Sequence, residues 1–187
     1  MTRCLPVARR YSEDEPRRDR STAESDGAGH AYTVLNGWKG YPGRTADGQI
    51  DPDLFADWVV RARLLLSESG RSDVGDEVIG ESFAYCPVGE DGVWPAEPVR
   101  DMIERIGSQE LENGFLIGRL NSRGVISRGV YDGGQQERDL AAQYIDWSTI
   151  TASRWPRTSR ILRSVSDRYE RDARRQDAEA ELDADRD

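Results

Sequence analysis

The chain lacks the residues on which several kinds of chemistry depend. Its 187 residues hold one histidine, His30, and two cysteines, Cys4 and Cys86. Zinc needs clustered Cys and His, so no zinc site is expected, and no Ser-His-Asp or Cys-His arrangement has a histidine base in the apolar middle of the chain. Two cysteines so far apart argue against a structural disulfide and fit a reducing compartment. No apolar run approaches the roughly 18 residues of a membrane span, and Met1–Arg10 has no apolar signal region. A cytoplasmic protein without membrane contact is expected. Lysine is also nearly missing: Lys39 stands alone among 26 basic residues, which reads as the arginine habit of a GC-rich bacterial genome.

Hydrophobic residues make up 36% and charged residues 33% of the chain, a wetter mixture than the roughly 45 to 50% apolar usual for globular domains. The large side chains concentrate between Ile50 and Tyr169. Met1–Gly29 has almost nothing to bury and cannot offset its ordering entropy, so residues 1–29 are expected to be a disordered leader. Residues 30–176 then form a helical domain, and 177–187 a disordered acidic tail.

Net charge is −9, and it is segmented. Residues 46–112 carry 16 acids against 5 arginines (−11), 154–176 carry 8 arginines against 3 acids (+5), and 177–187 carry 6 acids against Arg186 (−5). Attraction between the basic stretch and the chain's own acidic helices or tail is the simplest use of this pattern. The acidic total disfavours direct nucleic-acid binding.

Periodicity predicts an all-α fold of six helices, a compact orthogonal or hairpin-stacked bundle. Between His30 and Gly48, Tyr32, Val34, Leu35, Trp38 and Tyr41 alternate with glycines and Pro42, an extended or turning segment expected to pack on the first helix. Asp51 can cap that helix, Pro52 suits its first turn, and Leu54, Phe55, Trp58, Val59, Ala62, Leu65 and Leu66 recur at helical spacing, with Trp58 as core. The second helix follows Ser72 or Asp73 with Val74, Val78, Ile79, Ala84 and Tyr85 as its stripe. The third runs from Glu97 to Ile106 on Val99, Met102, Ile103 and Ile106, and Gly107 stops it. Ser108 can cap the fourth, with Leu111, Phe115, Leu116 and Leu120, in which Gly114 and Gly118 allow close approach of a backbone. A short β-hairpin is expected near 122–132. The fifth helix, about Gln135 to Ser153, uses Leu140, Ala141, Tyr144, Ile145 and Trp147. The sixth, opened by Pro156, uses Ile161, Leu162, Val165, Tyr169 and Ala173.

Thr45, Asp47, Gly48 and Asp51 resemble half of an EF-hand loop, but Gly43 and Leu54 would occupy ligand positions, so an Asp-Gly turn is the reading. Acid pairs such as Asp76 with Glu77, or Glu77 with Glu81, read as solvated faces. No cofactor is expected, since no strand leads into a glycine-rich phosphate loop. The candidate site is an anion site in the arginine- and glycine-rich loop 119–138, formed by Arg123, Arg128, Gly133, Gly134 and Arg138. There the amides opening the fifth helix favour negative charge, with Arg119 and Glu137 nearby. Pairing of these arginines with Asp132, Glu137 and Asp139, or with the acidic middle helices, is the competing use.

Asp47-Gly48 and Asp51, Trp58-Val59, Ala62-Arg63, Asp91-Gly92 with Trp94-Pro95, Val99-Arg100, Asn121 with Arg123-Gly124-Val125, Gly133-Gly134 with Glu137-Arg138, and Pro156-Arg157 form a series along the chain. In that series, residues 36 to 182 resemble the helical C-terminal region of longer, largely uncharacterised bacterial proteins, some labelled helix-turn-helix regulators. The resemblance implies a detached terminal module and brings no catalytic residue. The expected function is a non-catalytic helical protein-interaction module whose partner is a protein. The alternatives are a regulatory accessory domain of a DNA-binding system, and an enzyme or anion-binding domain using loop 119–138.

Overall fold

The computed structural model describes residues 40–68, 70–122 and 134–184. The described chain is helical: α1 (Pro52–Glu68), α2 (Ser72–Phe83), α3 (Glu97–Ile106), α4 (Gln109–Ser122), α5 (Gln135–Thr151) and α6 (Pro156–Ala184). Among the described residues the only β pairing is an isolated bridge between Arg44 and Ile50. The hairpin expected near 122–132 and the leader 1–29 lie outside the described residues, apart from Ser122, which closes α4.

The helix ends have local causes. Asp51 Oδ1 accepts hydrogen bonds from the amides of Asp53 and Leu54, both at 3.0 Å, and so satisfies two of the donors that open α1. Ser108 Oγ accepts from Leu111 N at 3.3 Å and opens α4. Gly107 ends α3 in the left-handed region at φ 63°, where a side chain would be strained, and its N–H returns to Ile103 O.

Close backbone contact joins α2 to α4. A Cβ on Gly80 would stand 2.1 Å from Leu111 O, one on Gly114 1.9 Å from Glu77 O, and one on Gly118 2.8 Å from Glu81 O. This approach decides which face of α2 is buried. Gly75, Asp76, Ile79, Gly80, Ser82 and Phe83 face inward, whereas Val74 and Val78, expected on the inner stripe, are exposed. In α1 the buried side is Phe55, Val59, Ala62 and Leu66. Trp58 is only half-buried and Leu54 is exposed, both contrary to expectation.

The helices α5 and α6 form the other tightly packed pair. Three buried serines tie them: Ser148 Oγ donates to Ser159 O (2.9 Å), Ser159 Oγ to Ser148 O (2.7 Å) and Ser166 Oγ to Ala141 O (2.8 Å). All five apolar residues expected on α6, Ile161, Leu162, Val165, Tyr169 and Ala173, are buried. Both α3 and α4 contact α6, while α3 also contacts α1 and α4 contacts α2, so the third and fourth helices connect the two ends of the fold. The helix α6 continues to Ala184, beyond residue 176, where charge alone placed the end of the ordered chain. Pairs one turn apart, such as Arg175 with Asp172 and with Glu179, support this extension. No helix is long and apolar enough to cross a membrane among the described residues.

Candidate functional site

The arginine- and glycine-rich candidate is only partly within the described residues: Gly134 and Arg138 are, whereas Arg123, Arg128 and Gly133 are not. Gly134 packs on the backbone of α6, where a Cβ would stand 2.3 Å from Ala173 O. Its amide donates to Asp177 Oδ1 at 2.8 Å, and Arg138 Nη1 donates to Asp177 Oδ2 at 2.6 Å. The helix opening and its arginine therefore hold a carboxylate of the same chain. The hydrogen bond from Arg138 and then that from Gly134 N–H hold the Asp177 carboxyl below its ordinary range. Glu137, one turn into the site, is fully buried. Arg119 lies against the aromatic residues Trp94 and Tyr144. Its guanidinium lies 4.7 Å from the centre of the Trp94 ring and 5.6 Å from that of Tyr144, and its Nε donates to Tyr144 Oη.

Trp94, in the loop between α2 and α3, is the centre of an aromatic cluster. It is 3% exposed, stacks on Phe115 at 5.0 Å between ring centres, and meets Tyr144 edge-on at 5.9 Å. Beneath the same loop lies Arg100, whose side chain is fully buried. Its Nη2 donates to both Asp91 oxygens (2.9 and 2.7 Å), and its guanidinium carbon stands 4.3 Å from the Trp155 ring centre. Burial alone would raise the Asp91 carboxyl, but the hydrogen bonds from Arg100 and Val93 N, with the charge of Arg100, bring it below its ordinary range.

The basic stretch of α6 is likewise engaged at its start. Glu112, 4% exposed, accepts from Arg157 Nη1 (2.7 Å) and Arg160 Nη2 (2.9 Å). Glu104 of α3 receives the amides of Arg157 (3.2 Å) and Thr158 (2.9 Å), so a carboxylate from another helix caps α6. Arg154 pairs with Glu97, and Trp155 Nε1 donates to Asp101 Oδ1 at 2.7 Å. In α2, Asp76 is bound by Arg63, and Glu81 is raised by burial and by the charge of Glu77. Among the described residues no group of three or more His, Cys, Asp or Glu side chains is placed to hold a metal ion.

The outward face of α1 has a different character. Leu54 is 61% exposed, Val60 59% and Leu64 58%. Asp57 and Arg61 lie among them and neutralise each other in an ion pair at 2.8 Å. Three large aliphatic groups thus face outward within 11 positions of one helix whose opposite side closes the core. On α2, Val74 and Val78 are also exposed, one turn apart.

No protein-family model matches this chain, and neither a curated protein nor a solved structure shows significant similarity to it.

Proposed function

We propose that this chain is a non-catalytic helical protein-interaction module, a hairpin-stacked bundle working in the bacterial cytoplasm and binding another protein through the outer face of α1. The observation that carries this reading is the exposure of Leu54, Val60 and Leu64 on a helix anchored from behind by Phe55, Val59, Ala62 and Leu66. Large aliphatic groups gathered on the exposed side of one helix favour an interaction site, and an amphipathic helix is a common way to present one. The resemblance to a terminal helical region of longer bacterial proteins fits a module of this kind.

Less supports the two alternatives. A DNA-linked accessory domain would use the basic stretch 154–176, but at its start Arg154 is engaged by Glu97, and Arg157 and Arg160 by Glu112. An anion-binding or catalytic loop would use Gly134 and Arg138, which hold Asp177.

The test is a comparison of immobilised parent chain with Leu64→Glu and Ile150→Glu in extract of the native host. Ile150 lies on α5 and is 58% exposed, so it controls for added surface charge. A protein retained by the parent and by Ile150→Glu, but lost with Leu64→Glu, is expected. Equal retention by all three chains would refute the α1 face.

A further inference from the structure

The outward stripe of α1 has an internal order that names its partner. Leu54, Asp57, Arg61 and Leu64 follow the alternating three- and four-residue spacing of a coiled-coil seam, with Leu54 and Arg61 at a positions and Asp57 and Leu64 at d positions. All four are exposed, with Asp57 and Arg61 side chains at 55% and 69%. In an antiparallel pair of helices, a positions of one meet d positions of the other. The spacing from Leu54 to Asp57 equals that from Arg61 to Leu64, so the same stripe turned end for end matches itself. Leu54 faces Leu64 of the second helix, Asp57 faces Arg61, and the order repeats in reverse. Val60, on one flank, comes close to its own copy near the twofold axis.

We infer that α1 packs antiparallel against α1 of a second copy of this chain, in an isologous dimer centred near Val59 in sequence. The inference rests on the reading of α1 as an interaction face and identifies what occupies it. Leu54 then meets Leu64 twice in the contact, and each Asp57 meets an Arg61. A twofold contact requires this: residue i touches j, and j touches i. The two Asp57–Arg61 pairs set the register, because sliding one helix by a turn brings charge against leucine or like charge together. On its opposite side the stripe is fixed by Phe55 and Val59 in the core, so the face is presented without reorganisation.

The full chain is sedimented from about 1 µM to about 1 mM, which spans the weak association expected of one helix pair. The parent is expected to shift from monomer to dimer. Asp57→Arg alone and Arg61→Asp alone are each expected to remain monomeric, since each places like charges in both central layers. Mixed in equal amounts they restore opposite charges in both layers, and a heterodimer is expected. A misfolded variant would not be rescued in this way. A parent that stays monomeric throughout, single variants that dimerise as the parent does, or a mixture that stays monomeric would each overturn the inference. If the parent is monomeric yet loses a host protein with Leu64→Glu, the second copy is wrong and the interaction face stands.

Discussion

Arg100 shows how a charge is kept in the interior by one partner. Its side chain is fully buried, and Asp91 is its carboxylate. Removing one member of such a pair leaves the other desolvated and uncompensated, at a cost of about 3 to 5 kcal/mol. Asp91→Ala is therefore expected to destabilise by that order in urea unfolding, and far more than Asp57→Ala, whose ion pair is exposed. Asp177 provides a pH dependence of known sign. Its carboxyl is lowered in the folded chain, so its contribution is present above the ordinary value near 3.8 and is lost as pH falls through the lowered value. Exchange of the amides at the C-terminal end of α6 is expected to quicken over that range in the parent, and Asp177→Asn to remove the dependence. The single residue was the scale least legible in the sequence. Trp58 has the largest side chain of its helix and was expected in the core, yet Phe55 is fully buried and Trp58 half so. Phe55→Ala is accordingly expected to cost about 3 to 5 kcal/mol and Trp58→Ala less, by the same unfolding measurement.

At the scale of elements the sequence was informative about where helices begin and end, because those signals are local. Asp51, Gly107, Ser108 and Pro156 act through bonds or torsions within a turn, and the structure places helix ends beside each. Which side of a helix faces inward depends on its neighbour and was less legible. Gly114 and Gly118 signal close approach in the sequence but not which helix approaches, and apolar character alone points Val74 and Val78 inward. In α1 the excess of apolar residues was itself a signal: Leu54, Phe55, Trp58, Val59, Val60, Leu64, Leu65 and Leu66 exceed what one core stripe accommodates. The same contact yields a prediction of opposite sign to propensity. In an open helix, glycine to alanine stabilises by up to about 1 kcal/mol. At Gly114 the new methyl would stand 1.9 Å from Glu77 O, so Gly114→Ala is expected to lower the unfolding midpoint, as is Gly80→Ala, which meets Leu111 O at 2.1 Å. A rise in midpoint for both variants would mean that α2 and α4 are further apart than described.

For the whole molecule, charge segmentation is the feature that passed most directly from sequence to structure. The acidic stretch 46–112 and the basic stretch that follows Trp155 meet where Glu104 and Glu112 receive the first turns of α6. Glu104→Ala removes the acceptor for two backbone amides and is expected to cost about 1 kcal/mol, the usual order for a lost cap. Of the anion site read from the sequence, Gly134 and Arg138 converge on one carboxylate, while Arg123, Arg128 and Gly133 lie outside the described residues. The outer face of α1 has no signature in the sequence, which alone cannot separate an aliphatic group that closes a core from one that awaits a partner. Trp94 joins the parts of the fold most directly, because its ring is set between Phe115 of α4 and the aromatic residues Tyr144 and Trp147 of α5. An indole held asymmetrically among other chromophores gives a strong near-ultraviolet dichroic band. That band should therefore vanish whenever these two helices separate, even if every helix stays wound, giving the chain an optical gauge of its own assembly.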